Sequence, residues 1–86
     1  TRALAIEMQR FNIRVNAICP GYFKTEINDQ FLESDIGQKM LKRTPARREG
    51  KLSELDAPLL MLAGDGSTFV TGIALPVDGA HSVHLL

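Results

Sequence analysis

The segment Ile13 to Cys19 most restricts what this chain can fold into. Its side chains at 13, 15, 17 and 19 are apolar, and Ile18 adds an apolar group to the opposite face. A strand that is apolar on both sides suits the inside of a parallel sheet better than an amphipathic edge. It runs straight into Pro20-Gly21, and Thr25 stands four residues beyond the glycine. Proline fixes φ at such a point, and glycine leaves room for a ligand to approach the backbone. Loops leaving the carboxyl ends of parallel strands are where ligands bind. The Thr25 hydroxyl can donate or accept a hydrogen bond there. Taken alone, a Pro-Gly after a strand is also an ordinary turn.

The flanking patterns set the order of elements. Thr1 to Phe11 reads as a helix, with Leu4, Met8 and Phe11 on one face and Asn12 closing it. Residues 20 to 51 are the least regular. They suggest a short helix from Asp29 to Glu33 and another from Ile36 to Lys42, before Pro45 and Gly50 break the chain. Phe31, Leu32, Ile36, Met40 and Leu41 on these helices fit a movable apolar cover and a permanently packed pair equally well.

Ser53 is an N-cap candidate for a third helix, with Glu54 and Asp56 in its first turn. Leu55, Leu59 and Leu62 form the apolar stripe of that helix, Pro58 bends it, and Gly64 and Gly66 end it. Ile73 to Val77 is the last strand, and Pro76 assigns it to a sheet edge because proline donates nothing to a ladder. The fold class is therefore α/β, in the order helix, strand, small helices, helix, strand. Two parallel strands joined through a helix make a right-handed crossover, which is not a finished domain.

Ten basic and ten acidic residues cancel, which argues against a nucleic-acid footprint or attraction to an anionic membrane. Arg43, Arg47, Arg48 and Lys51 cluster locally and read as a solvated face or as partners for carboxylates sooner than as a phosphate site. The longest apolar run, Leu59 to Ala63, falls far short of the ~20 residues that span a bilayer. The first residues lack a signal-peptide pattern and an initiator Met, so the chain reads as cytoplasmic and as a piece of a longer one.

Cys19 is the single cysteine. It reads as a small buried hydrophobe, since a reactive thiol needs a basic partner and the histidines lie far along the chain. Those histidines, His81 and His84, are spaced like metal ligands but have no third ligand at hand, so no metal site is expected. A mobile tail with surface histidines is the plainer reading.

Several stretches together resemble the C-terminal part of a short-chain dehydrogenase/reductase. They are Asn16-Ala17-Ile18-Cys19-Pro20-Gly21 with Thr25, Pro45-Ala46-Arg47-Arg48-Glu49-Gly50, Leu62-Ala63-Gly64-Asp65, Phe69-Val70-Thr71-Gly72 and Val77-Asp78-Gly79. They follow the family's order and spacing over nearly the whole chain. The resemblance implies the C-terminal part of a doubly wound, Rossmann-type parallel sheet, with residues 1–86 as one incomplete dinucleotide-binding segment. The family's glycine-rich phosphate loop and its catalytic Ser, Tyr and Lys precede the region matched here. The only tyrosine is Tyr22, and Glu26 stands where a Tyr-x-x-x-Lys pair would need lysine. No catalytic residue is therefore expected.

By the same resemblance, residues 20 to 51 form the nicotinamide-side loop and a substrate lid. Cofactor-binding roles fall on Pro20, Gly21, Phe23 through its backbone, Thr25 toward the carboxamide or adjacent phosphate, and Ile27 packing nearby. Thr25 as the N-cap of the following helix is the structural alternative. Asn28 and Gln38 are candidate polar contacts for a substrate. The cofactor would be NAD or NADP, the substrate a small alcohol or ketone, and the parent enzyme a homodimer or homotetramer completed by an N-terminal part. A non-catalytic interaction or oligomerisation fragment is the reading from a different class. Where the family has Asp-Gly-Gly, this chain has Asp78-Gly79-Ala80, so a left-handed turn there would be strained.

Overall fold

The structure, a computed structural model, describes residues 1–83; His84 lies outside the described residues. Helix α1 (Arg2–Met8) continues into a 3-10 turn over Gln9–Phe11, and Asn12 closes it in the left-handed conformation at φ 57°. Strand β1 (Ala17–Pro20) follows, then short helices α2 (Asp29–Glu33) and α3 (Asp35–Arg43), helix α4 (Asp56–Ala63) and strand β2 (Ala74–Val77). β1 and β2 pair in parallel, with Ala17 opposite Ala74 and Pro20 opposite Val77. Both strands therefore end at the same level, and the loops that leave them begin side by side.

β1 is shorter than the apolar pattern predicts, because side chains satisfy the backbone that precedes it. The Val15 N–H donates to Thr71 Oγ1 at 3.0 Å. Asn16 donates through Nδ2 to the Val70 carbonyl (3.0 Å) and accepts at Oδ1 from the Ile73 N–H (3.1 Å). Residues 13 to 16 thus lie beside 70 to 73 without a regular ladder. The expectation of burial on both faces also fails for Cys19, which is exposed. No layer of described residues covers the end of β1 where it sits.

One arginine joins β1 to the far end of the crossover. The Arg14 guanidinium donates to the carbonyls of Leu62 (2.8 Å), Gly64 (3.2 Å) and Val70 (3.3 Å) and to Ser67 Oγ (3.2 Å). Leu62 and Gly64 lie at the C-terminus of α4, where carbonyls lack partners within the helix and a cation meets the negative end of the dipole. The planar guanidinium reaches several acceptors at once, which a lysine ammonium does on a less organised stem.

The start of α4 differs from expectation too. A 3-10 turn over Leu52–Leu55 precedes it, and the capping group is Glu54 rather than Ser53. The Glu54 carboxylate accepts from the Lys51 N–H at 2.9 Å and takes both ends of the Arg48 guanidinium at 2.7 and 2.9 Å. The hydrogen bond from Arg48, then that from Lys51, holds the Glu54 carboxyl down at about 2. Pro58 stands third in α4, where no N–H is required of it.

The molecule is elongated, 50 × 26 × 20 Å, with a radius of gyration of 15.7 Å. A compact chain of this length would measure about 12 Å. Ala5, Phe23, Leu32, Leu41 and Leu62 form the buried apolar set, and no described side chain is wholly enclosed. The predicted stripes are only partly covered: Leu4, Phe11, Leu59 and Leu60 remain exposed.

Arg14→Ala is expected to lower unfolding free energy by about 1–3 kcal/mol in a urea titration, by leaving four acceptors short of a donor. Arg14→Lys should recover only part of that. A second expectation concerns acid. Because the Glu54 carboxyl is held below its ordinary 4.5, its stabilising effect is complete above that value and drains away as pH falls toward about 2. Glu54→Gln should flatten the fall in melting temperature across that window; an unchanged slope would refute the assignment.

Candidate functional site

The loop from Pro20 to Asn28 leaves the carboxyl end of β1 and is built by close approaches. The Gly21 N–H donates to the Val77 carbonyl at 3.0 Å. A Cβ at Gly21 would fall 2.7 Å from Asp78 Cβ and 2.8 Å from Asp78 Cα. Glycine is therefore required by the abutting strand ends, and the space expected for a ligand is filled by Asp78.

Beyond it, Phe23 pairs in parallel with Gly50. The Gly50 N–H donates to the Tyr22 carbonyl (2.8 Å), and its carbonyl accepts from the Lys24 N–H (3.4 Å). Gly50 thus engages the residues on either side of Phe23, which turns the N–H and carbonyl of Phe23 toward the opposite edge. The Phe23 ring is buried beneath the loop, so close to Gly50 that a Cβ there would lie 2.7 Å from its Cδ1.

Asn28 fastens the outer half of the loop. Its Oδ1 accepts from the Thr25 N–H (2.8 Å) and the Thr25 hydroxyl (2.9 Å), while its Nδ2 donates to the Phe23 carbonyl (2.8 Å). Asn28, not Thr25, is the N-cap residue of α2. Lys24 lies 3.2 Å from Asp29 and 3.6 Å from Glu33 on the same turn. The hydrogen bond to Asp29 chiefly raises its pKa. Of the candidate residues, Gly21, Phe23 and Thr25 are drawn into one fastened loop. Pro20 is exposed at its start, and Ile27 stands 98% exposed beyond Thr25.

The two small helices meet at a sharp corner. The Ser34 hydroxyl caps α3 by accepting from the Gly37 N–H at 3.1 Å. A Cβ on Gly37 would run into the Phe31 carbonyl and Leu32 Cα, so only glycine lets the helices approach this closely. Leu32 and Leu41 are buried, whereas Phe31 and Ile36 face outward. Gln38 donates to the Leu32 carbonyl at 2.7 Å, so Asn28 and Gln38, the polar candidates for substrate contact, both bond backbone groups.

Behind the loop, the turn after β2 locks onto the segment after α3. The Ala46 N–H donates to the Gly79 carbonyl at 3.2 Å, and a Cβ on Gly79, at φ +61°, would lie 2.6 Å from Ala46 Cβ. Ala80 adopts φ 71°, so the left-handed turn that would strain an alanine at this position is present. The Asp78 carboxylate accepts from the N–H groups of Ala80 (3.0 Å) and Ser82 (2.9 Å), and hydrogen bonding, foremost from Ser82, depresses its pKa. His81 is not on a free tail. It is half-buried, its ring meets Tyr22 edge-on at 5.3 Å, and Nδ1 lies 3.5 Å from Thr44 Oγ1.

A cavity of about 70 Å³ remains among Tyr22, Phe23, Thr44, Val77 and Gly79, room for little more than water. Among the described residues, no cluster of three or more His, Cys, Asp or Glu is placed to hold a metal ion. None of the described helices is long and apolar enough to cross a membrane.

Asn28 was missed as a loop-fastening group. The signal was present, since Asn and Asp side chains bond backbone N–H groups near helix starts, and Asp29 begins a helix. Arg14 carried no such signal, because its acceptors lie 48 to 56 residues away.

A parallel crossover with a fastened loop at the carboxyl ends of its strands is the architecture of an open α/β ligand-binding sheet. Residues 1–81 match the family model described as enoyl-(acyl carrier protein) reductase. The 5-keto-D-gluconate 5-reductase of Escherichia coli is 45% identical over 80 residues, covering 92% of this chain and 32% of that protein. A gluconate 5-dehydrogenase from Burkholderia cenocepacia, solved in complex with NADP and tartrate, superposes with a TM-score of 0.91 at 35% identity, over 99% of this chain and 34% of that one. A Haemophilus influenza oxidoreductase with bound NAD gives a TM-score of 0.85 at 36% identity, over 99% of this chain and 33% of that one. The chain belongs to the short-chain dehydrogenase/reductase family. It spans about a third of the length of these relatives.

Gly21→Ala is expected to cost about 1–3 kcal/mol through the contact with Asp78. Gly66→Ala, with nothing within 4 Å of the new Cβ, is the control. Equal denaturation midpoints for the two variants would refute the close-approach role of Gly21.

Proposed function

We propose that residues 1–86 supply the nicotinamide-side third of an NAD- or NADP-dependent oxidoreductase acting on a small alcohol or ketone. The observation that carries this reading is the loop fastened at the carboxyl ends of two parallel strands, in a chain of this family. A nicotinamide carboxamide has one acceptor oxygen and two N–H donors, so it needs a matched donor and acceptor held rigidly. The Phe23 N–H and carbonyl, turned away from Gly50, and the Thr25 hydroxyl are groups of that kind. Their fixed positions would also set which face of the ring meets substrate.

When bound, the cofactor supplies or accepts the hydride. The residues described here bind and orient; none is assigned a proton-transfer role. Gly21 keeps the loop tight against β2, and Pro20 stiffens its entry. Ile27, exposed beside Thr25, is the apolar group available to a ring lying on the loop. Residues 20–51 are read as loop and substrate lid, the α2–α3 corner turning Phe31 and Ile36 outward. The names of the relatives favour a sugar acid as substrate, gluconate and its keto form being what two of them are named for.

The partners in this reading are an N-terminal part of the same domain and, beyond it, further copies in a homodimer or homotetramer. The exposed Leu4, Phe11, Leu59 and Leu60 are the surfaces such partners would cover. A second reading, a non-catalytic oligomerisation module, is favoured by that same exposure.

The purified 86 residues alone are expected to show no dehydrogenase turnover. Mixing them with a polypeptide supplying the preceding two thirds should restore NAD(P)-linked oxidation of gluconate-type substrates. Turnover by the isolated residues, free of contaminating enzyme, would overturn the division of labour. A folded monomer that never complements would favour the module.

A further inference from the structure

We propose that Asn28 is a positioning residue that makes the Thr25 hydroxyl an acceptor toward the cofactor, selecting a carboxamide over a carboxylate or phosphate. The inference rests on the reading of residues 20–28 as the nicotinamide loop.

It follows from hydrogen accounting around one side chain. The Thr25 backbone N–H, 2.8 Å from Asn28 Oδ1, can only donate. The Phe23 carbonyl, 2.8 Å from Nδ2, can only accept. These two contacts fix the orientation of the Asn28 amide, because the flipped side chain would face donor with donor and acceptor with acceptor. With Oδ1 so assigned, the Thr25 hydroxyl 2.9 Å away has an acceptor beside it and donates its single hydrogen there. What the hydroxyl can present to a ligand is lone pairs.

A ligand atom reaching Thr25 is then held well if it carries N–H, as the amide nitrogen of nicotinamide does. A phosphate oxygen or a carboxylate offers only acceptors, and could bond the hydroxyl only by taking its hydrogen from Asn28. Of the two partners considered for Thr25, carboxamide and phosphate, this arrangement favours the carboxamide. Asn28 also holds the Phe23 carbonyl, so one amide sets both neighbouring groups that would face the ring's substituent.

The test uses the complete oxidoreductase chain carrying these residues. Calorimetric dissociation constants are compared for NAD (or NADP, whichever binds), for its nicotinic acid counterpart, whose carboxylate lacks N–H, and for ADP-ribose, which lacks the ring. The unaltered protein should prefer the carboxamide form by roughly tenfold, as the loss of one hydrogen bond implies. Asn28→Ala frees the hydroxyl to donate and should bring that ratio to within about threefold, with ADP-ribose affinity changed less than about twofold. Asn28→Asp keeps acceptors for both Thr25 donors while giving up the donor to the Phe23 carbonyl, and should retain the preference, which keeps the proposal open to refutation if the alanine variant does not fold.

An unchanged ratio in Asn28→Ala, or a lost one in Asn28→Asp, overturns the proposal while leaving the cofactor loop intact. Equal weakening of all three ligands in Asn28→Ala also overturns it, since that marks general support of the loop. Failure of the unaltered chain to bind any of the three overturns the cofactor reading, and this inference with it.

Discussion

The Arg14 guanidinium is the contact on which the rest of the architecture depends. It stands just before β1 and closes on the carbonyl end of α4 and the loop beyond, joining the first half of the crossover to the second. Without such a contact, two short parallel strands have little to hold them in register, since β1 and β2 share only four paired positions. The polar groups at this junction are compensated together. Helix carbonyls that would lack donors, a cation near the helix's negative end, and the Asn16 bridge to residues 70 and 73 all meet in one place.

Register carries consequence to the site. Because Pro20 lies opposite Val77, Gly21 meets Asp78, and the two exits are forced against each other. That contact aims the loop from Tyr22 onward, Gly50 pins its inner edge, and Asn28 closes its outer one. Each of the two glycines serves a close approach by another part of the same chain. A Pro-Gly after a strand is easily credited to a ligand; here the neighbouring strand accounts for the glycine.

Burial in this chain is partial by construction. Among the described residues five apolar side chains are buried, while parts of the apolar stripes on α1 and α4 face solvent, and the molecule is longer than a compact chain of its length. In the proposed function, these are the surfaces that further members of the sheet and helical layer would cover.

Local chemistry was legible from the residues alone. Helix α2 falls at Asp29–Glu33 as predicted, and Asn12 turns left-handed where a small polar residue had to end a helix. Parallel strands in an α/β order were legible as well, because β-branched runs, proline placement and helical spacing act within a few residues of themselves. Tertiary contact decided what depends on residues distant in sequence: that Arg14 caps a helix some fifty positions away, that Gly21 serves Asp78, that Cys19 stays exposed and that His81 packs on Tyr22. Propensity is a property of neighbours along the backbone. The partner of a hydrogen bond or the cover over a side chain is set only when the chain closes on itself.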